Sequence, residues 1–239
     1  MQEDALTVQK RDSYQIFNQI APTYDLLNRL LSFGIDRTWR KKLAKRLPEG
    51  PLHVLDLATG TGDLAIALAQ SRPLASITGL DLSEGMLKIG KRKVEALGLS
   101  KQVTLAFGDG VNLEMIHHRM DVITIAFGIR NFSSPIESLK QCARTLRPGG
   151  KILILEFSWP QNHLVRTLYN LYFRYLLPWL GNLLSGHKDA YTYLNKTVED
   201  FPYGQAFLTL MQSAGFKDLS ATKLTFGVAT LYEGKTKYE

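Results

Sequence analysis

A glycine-rich segment carries the residues best suited to hold a small molecule. Residues 54–63 read Val-Leu-Asp-Leu-Ala-Thr-Gly-Thr-Gly-Asp, an apolar run followed by two closely spaced glycines. Such glycines let a strand turn sharply into a helix and let a ligand approach the backbone. The pattern alone is ambiguous, because Gly60-x-Gly62-x-x-Ala65 also satisfies the loose fingerprint of dinucleotide-binding proteins. The segment therefore predicts a nucleotide-like cofactor without naming it.

Three aspartates are spaced so that each would end one of three successive strands. Asp56 lies four residues before Gly60, where a carboxylate would repel a dinucleotide pyrophosphate but could reach the amino group of a sulfonium amino acid. Asp81 could accept both hydroxyls of a ribose, and Asp109 with the Gly110 amide could bind the adenine amino edge. Acids at the carboxyl ends of parallel strands converge on one crevice. The set favours S-adenosyl-L-methionine as the cofactor, with a NAD-dependent oxidoreductase as the alternative.

Short apolar runs alternate with helical stretches from residue 53 onward, which is typical of an α/β fold with a mostly parallel sheet. The predicted strands are 53–57, 76–80, 103–107, 121–126, 151–156, 217–224 and 228–232. The last two runs would form a hairpin-like pair. The 81–83 segment predicts a cap for the helix after the second strand, and Gly98 predicts its end.

The first fifty residues read as helices without a strand pattern. We predict helices over 14–20, 23–31 and 37–47, with breaks at Pro22 and Gly34. The whole chain, 1–239, is predicted to be one domain. Its parts would be an N-terminal helical cap over 1–50, a catalytic core over 51–160 and 203–239, and a helical lid or insertion over 161–202.

Composition narrows the class of protein. The 239 residues contain 45% hydrophobic residues and one cysteine, Cys142, and the charged start of the chain lacks an apolar signal segment. We therefore expect a cytoplasmic protein. The net charge of +7 would suit nucleic acid or an acidic bilayer, although a solvated basic helix face explains it equally well. No Cys or His spacing typical of a metal site is present.

Four further motifs follow one another along the chain, and they include a Phe-Gly-Ile-Arg-Asn run and a Tyr-Asp-x-x-Asn helix that are specific to few proteins. They are 17–28 (Phe-Asn-Gln-Ile-Ala-Pro-Thr-Tyr-Asp-Leu-Leu-Asn), 31–40 (Leu-Ser-Phe-Gly-Ile-Asp-Arg-Thr-Trp-Arg), 126–131 (Ala-Phe-Gly-Ile-Arg-Asn) and 155–158 (Leu-Glu-Phe-Ser). With the glycine segment they cover nearly the whole chain. On these residues the chain resembles the UbiE/MenG/COQ5 family of C-methyltransferases, which methylate prenylated quinol precursors of menaquinone and ubiquinone.

The resemblance implies a Rossmann-like class I S-adenosylmethionine-dependent methyltransferase fold. It implies cofactor contacts at Thr61, Asp81, Asp109 and Gly110. The residue before Phe-Gly is often a serine in relatives and is Ala126 here, which removes one hydroxyl. The substrate would be demethylmenaquinol, 2-methoxy-6-polyprenyl-1,4-benzoquinol, or both, and another small molecule remains the alternative.

Ring methylation needs an ionised or nearly ionised quinol, and hence positive charge beside the developing phenolate. Family proposals make the arginine a water-mediated base, but a guanidinium stays protonated in proteins. We interpret Arg130 as a phenolate clamp, with Asn131 orienting substrate or water. The alternative is an arginine that holds its loop through backbone carbonyls. Tyr24, on a helix that could cover the cofactor, is the next substrate contact, and His187 is a candidate base.

The insertion is predicted to contain an amphipathic helix over 164–176. In the family interpretation its apolar face meets the prenyl tail, so the enzyme would act as a peripheral protein at the membrane surface; a lid helix packed on the core is the alternative. The chain lacks the Pro-Pro-aromatic run that holds a flipped base after the fourth strand, so we expect no nucleic-acid partner. A homodimer or other quinone-biosynthesis proteins are the protein partners left open.

Overall fold

A twisted sheet forms the centre of the molecule. The computed structural model describes residues 13–113, 116, 119–171 and 197–237. Within these residues the strands are β1 (Leu52–Leu57), β2 (Ala75–Asp81), β3 (Val103–Phe107), β4 (Met120–Ala126), β5 (Leu146–Phe157), β6 (Lys217–Leu224) and β7 (Ala229–Lys235). They lie in the order β3-β2-β1-β4-β5-β7-β6. Strands β1 to β5 pair in parallel, and β7 runs antiparallel to both β5 and β6. The predicted α/β class is confirmed.

The helices lie on both faces of the sheet. They are α1 (Ser13–Leu31), α2 (Ile35–Ala44), α3 (Asp63–Ser71), α4 (Glu84–Ala96), α5 (Pro135–Thr145), α6 (His163–Leu171) and α7 (Gln205–Ser213). One apolar cluster joins α2, α3 and α4 to the sheet, and a second joins α5 and α7 to it. Strands β1 and β4 are buried almost throughout because helices cover both faces.

Several sequence predictions match the elements closely. The strands predicted over 103–107 and 217–224 coincide with β3 and β6, and the closing pair is antiparallel as expected. Ser83 caps α4 by accepting a hydrogen bond from the Met86 N–H, and Gly98 follows the helix with a φ of 69°. Strand β5 begins five residues earlier than the prediction of 151, because Leu146 pairs with Met120 across a register shift.

The predicted break at Pro22 is wrong. A single helix, α1, runs through it. Proline removes one backbone donor and usually kinks a helix, but Pro22 is exposed, whereas Ile20 and Ala21 beside it are buried against Met86. We attribute the continuation of the helix through Pro22 to this packing. The break at Gly34 is confirmed, since its φ of 74° starts α2.

The insertion is described in part. Helix α6 covers the first half of the amphipathic helix predicted over 164–176, and the remaining residues of that helix, together with His187, lie outside the described residues. Among the helices of the described ranges, none is both long and apolar enough to cross a membrane. The proposed division into cap, core and insertion stays a prediction.

Gly90 allows α4 to approach the glycine segment closely. A Cβ at this position would lie 2.7 Å from Leu105 Cδ1 and 3.0 Å from the Thr61 carbonyl carbon. We predict that Gly90→Ala lowers the free energy of unfolding by about 1–3 kcal/mol through overpacking, although helix propensity alone would favour alanine by about 1 kcal/mol. Urea unfolding measures the change, with Glu95→Ala on the exposed face of α4 as the control. A stabilised Gly90→Ala protein would contradict the close packing.

Candidate active site

The glycine segment forms a sharp turn between β1 and α3. Ala58, Gly60 and Gly62 all adopt left-handed backbone conformations, with φ values of 51°, 56° and 76°. The Thr59 N–H donates to the Leu80 carbonyl oxygen at 3.0 Å, which ties the turn to the end of β2. A non-glycine residue with a positive φ is a strained feature that clusters at functional sites. Ala58 is such a residue.

A second strained residue lies after β4. Phe127 has a φ of 58°, and the next residue, Gly128, packs on the glycine turn so closely that a Cβ there would lie 2.4 Å from Ala58 Cβ. Only glycine fits this contact. The loops that follow the parallel strands β1 and β4 therefore pack directly against each other, through Gly128 and the Ala58 methyl group.

Asp81 joins the turn to α4. Its Oδ2 accepts the Gly60 N–H at 2.7 Å, and its Oδ1 accepts the Ser83 N–H at 2.8 Å. Burial raises the pKa of this carboxyl, while the backbone N–H groups of Ser83, Gly60 and Leu82 partly oppose the rise. Each carboxylate oxygen has a second lone pair, so Asp81 can still accept hydrogen bonds from a ligand.

A cavity of about 320 Å³ opens at the carboxyl ends of these strands, within the size range of small-molecule sites. The predicted residues that line it are Tyr24, Gly60, Asp81, Asp109, Gly110 and Asn131. Ala126 also lines the cavity. The structure thus brings together acids and backbone from the ends of β1, β2, β3 and β4, as expected where ligands bind in an open α/β sheet.

Asp56 lies behind the cavity wall. It is 1% exposed, and its two oxygens accept hydroxyl protons from Thr59 at 2.6 Å and Thr124 at 2.7 Å. Burial raises the pKa of this carboxyl to about 6, although both hydroxyls act against the rise. Asp56 therefore stabilises the glycine turn through Thr59 and connects it to β4 through Thr124. The contact of Asp56 with a cofactor amino group stays a prediction. The cofactor contact of Gly62, the residue that precedes α3, also stays a prediction.

Thr61 also points its hydroxyl away from the cavity. The hydroxyl donates to Asp25 Oδ1 of α1 at 2.6 Å, and Lys93 Nζ of α4 lies 3.3 Å from the same oxygen. Thr61 is absent from the residues that line the cavity. The cofactor contact implied by the resemblance stays a prediction, and in this structure the threonine connects the turn to α1.

Arg130 is buried in an ion pair. Its Nη1 donates to the Phe127 carbonyl oxygen and, at 2.8 Å, to Glu156 Oε1, and its guanidinium lies 5.4 Å from the Phe157 ring centroid. Burial raises the pKa of the Glu156 carboxyl, and the adjacent Arg130 charge counteracts this. The loop-fixing contact, considered above as the alternative, is therefore present. The role of phenolate clamp stays a prediction, since Arg130 does not line the cavity.

Asn131 and Tyr24 do line the cavity. Within the described ranges, the buried Asn131 Oδ1 has no hydrogen-bond partner, so it can accept a hydrogen bond from a ligand. Burial raises the pKa of the Tyr24 hydroxyl, and a hydrogen bond with Asn28 lowers it in part. Tyr24 is therefore a neutral donor near pH 7 and not a base.

Sequence reasoning missed several lining residues. Tyr14 and Phe17 of α1 face the cavity beside Tyr24, and Met86 of α4 and Phe132 complete its apolar wall. The spacing of the α1 aromatics places them on one helix face, which could have indicated them. Phe132 packs so tightly on Gly110 that a Cβ there would lie 2.7 Å from its ring, and no local pattern reveals that contact.

Solved structures share this fold. A SAM-dependent methyltransferase from Thermotoga maritima superposes with a TM-score of 0.67 at 18% identity, covering 94% of this chain and 99% of that chain. The [4+2]-cyclase SpnF superposes with a TM-score of 0.63 at 16% identity, covering 96% of this chain and 97% of that one. The fold is therefore that of class I SAM-dependent methyltransferases, and the acid-lined cavity lies at the carboxyl ends of its parallel strands.

The particular family follows from sequence. Residues 5–236 match the model of the ubiE/COQ5 methyltransferase family, and the chain belongs to that family. A demethylmenaquinone methyltransferase of Thermus thermophilus is 44% identical over 92% of this chain and 99% of its own length. A ubiquinone/menaquinone biosynthesis C-methyltransferase UbiE of Geobacter sulfurreducens is 44% identical over 92% of this chain and 86% of its own length.

The buried carboxyl of Asp56 makes stability depend on pH. Its pKa rises from an ordinary 3.8 to about 6 on folding, so the folded state binds more protons between these values, and stability falls as pH increases through them. We predict that Asp56→Asn gains about 2 kcal/mol of unfolding free energy relative to the wild type between pH 4 and pH 7. Urea titrations at a series of pH values measure the unfolding free energies of both proteins. The contributions of other acids cancel when one value is subtracted from the other. A constant difference would contradict the assignment.

Proposed function

We propose that this chain binds S-adenosylmethionine in the acid-lined cavity and methylates a ring carbon of a prenylated quinol. The substrate is demethylmenaquinol, 2-methoxy-6-polyprenyl-1,4-benzoquinol, or both. The family match over residues 5–236, with relatives of 41–44% identity that carry these activities in their names, is the observation that carries the proposal.

The residues that line the cavity fit this cofactor. Asp81 can accept the ribose hydroxyls while it keeps its bonds to Gly60 and Ser83. The Asp109 carboxylate accepts the Val111 N–H at 2.9 Å. It lines the cavity together with Met86 and Phe132, so these residues offer apolar surface and a polar edge for adenine. The uncommitted Asn131 Oδ1 supplies a further acceptor.

The chain's own groups then have to prepare the acceptor. When bound, S-adenosylmethionine supplies an electrophilic methyl group and a neutral thioether as the leaving group. Holding the ring carbon in line with that methyl contributes up to about 7–11 kcal/mol. Tyr24 and Asn131 line the wall and can hydrogen-bond the quinol oxygens. Arg130 is 4% exposed and supplies positive charge from behind this wall. The low dielectric of the protein interior strengthens the electric field of that charge.

A prenyl tail keeps the substrate in the bilayer, because each buried methylene contributes about 0.8 kcal/mol. The enzyme therefore has to meet its substrate at the membrane surface. The net charge of +7 suits an anionic leaflet. A homodimer or contacts with other quinone-biosynthesis proteins would be compatible with such a surface enzyme.

Conservative removal of the Asp81 charge tests the cofactor site. We predict that Asp81→Asn weakens binding of S-adenosylhomocysteine about 100-fold, because two charge-assisted hydrogen bonds are lost. Calorimetry measures the affinity, and Asp218→Asn, which changes an exposed acid on β6, is the matched control. Binding of NADH in place of the adenosyl ligand would instead support an oxidoreductase.

The substrate is tested in a bacterial host that lacks its own quinol C-methyltransferase. Mass spectrometry of extracted quinones should show the demethyl species converted when the wild-type chain is expressed and unconverted with Asp81→Asn. An unchanged quinone profile, with a folded protein that binds S-adenosylhomocysteine, would indicate another small-molecule substrate.

Two variants separate the structural and catalytic roles of Arg130. Arg130→Gln leaves the buried Glu156 charge unpaired, so we predict a loss of about 3–5 kcal/mol of unfolding free energy. Adding Glu156→Gln restores most of that stability, because no buried charge remains. If Arg130 also stabilises the phenolate, the double variant keeps near-normal S-adenosylhomocysteine affinity while kcat stays about 100-fold low. Recovery of kcat together with stability would make Arg130 purely structural.

A further inference from the structure

Helix α1 is one wall of the cavity, and polar contacts hold it there. Ser13, Tyr14, Phe17 and Tyr24 of this helix line the cavity. Its buried apolar residues Ile20 and Ala21 belong to a small cluster with Met86, Tyr169 and Val198. This cluster meets one of the two large sheet clusters only through partly buried residues, Phe157 and Val228. A helix attached through a small satellite cluster can open locally while the sheet remains folded.

The contacts that hold α1 closed are concentrated at the glycine turn. We define the α1 latch as Asp25, Arg29, Thr61, Asp63 and Lys93. Lys93 Nζ donates to Asp25 Oδ2 at 2.7 Å and also to Asp63, Thr61 donates to Asp25, and Arg29 pairs with Asp63 at 3.1 Å. The latch therefore joins α1 to the turn, to the start of α3 and to α4.

A second contact fixes the other part of the helix. Asn18 Oδ1 accepts the Ser83 hydroxyl at 2.7 Å and the Gly85 N–H at 2.9 Å. Asn18 thus binds the first turn of α4, next to the Asp81 carboxylate that faces the cavity. Both ends of the wall are anchored to the two segments that also form the cofactor site, so occupancy of the site and closure of α1 act on the same backbone.

We propose that Lys93 and Asp25 are positioning residues that hold α1 closed over the cofactor, and that their ion pair must open before the cofactor or its demethylated product can leave. The inference rests on the proposed function of the cavity. The side chains of Lys93 and Asp25 are each 27% exposed, so salt can screen the pair. Burial would raise the pKa of Asp63, yet Arg40, Lys93 and Arg29 together lower it, which keeps this carboxylate charged in the latch.

Dissociation of S-adenosylhomocysteine tests the proposal. In the intact protein, Lys93→Met should raise the dissociation rate and KM for S-adenosylmethionine about ten-fold while kcat stays within about two-fold. Lys93→Arg, which keeps the cation, should restore both values to within about three-fold. Lys91→Met removes an exposed lysine from the same helix and should behave like the wild type. Raising salt from 0.1 to 0.5 M should speed release from the wild type more than from Lys93→Met.

Hydrogen exchange distinguishes local opening from a folding defect. Amides of α1 should exchange faster in Lys93→Met and in Asp25→Asn, while those of β1 and β4 stay protected, and bound S-adenosylhomocysteine should slow α1 exchange in the wild type. Unchanged α1 exchange, or release rates equal to those of Lys91→Met, would overturn the latch. A wild-type protein that binds no S-adenosylhomocysteine would overturn the proposed function instead.

Discussion

The half-buried carboxylate of Asp81 is the junction on which the site depends. It ends β2 and accepts backbone N–H groups from Gly60 on one side and Ser83 on the other. Each charge-assisted bond is worth about 1.5–3 kcal/mol, enough to hold a strained turn in one conformation. The glycine turn positions Thr61. Helix α4, which Asp81 fixes at its first residues, positions Met86 and Lys93. Cavity wall, turn and latch are therefore one connected structure.

In the proposed function, the Asp81 side chain serves both the fold and the ligand. Desolvation raises the pKa of Asp81, because the negative charge is less stable there than in water. A hydrogen-bond donor of a ligand would stabilise that charge. Asp56 shows the contrasting case. Its two oxygens accept hydrogen bonds from the hydroxyls of Thr59 and Thr124, and its role in this structure is to stabilise the fold. The two aspartates have similar sequence contexts at strand ends, and only packing separates their roles.

That contrast marks the limit of sequence reasoning here. Apolar periodicity predicted the positions of the seven strands along the chain and the mostly parallel sheet, because strands buried on both faces form nearly continuous apolar runs. It also placed Asp81 and Asp109 at one edge of the sheet. It could not predict that α1 continues through Pro22, since long-range packing of Ile20 and Ala21 decides this. Nor could it predict that the hydroxyl of Thr61 and the guanidinium of Arg130 turn away from the cavity, because their partners, Asp25 and Glu156, are distant in sequence.

The pairing of Arg130 with Glu156 changes how charge can act in this site. An arginine that projected freely into the cavity would lose its partners whenever the ligand left, and would change conformation in each turnover. Held by Glu156, by the Phe127 carbonyl and against the Phe157 ring, it cannot rearrange and so provides a fixed field, which is the property that makes electrostatic stabilisation effective. The acid beside it reduces that field. Net stabilisation of a phenolate therefore depends on the ligand lying nearer to the guanidinium than to the Glu156 carboxylate.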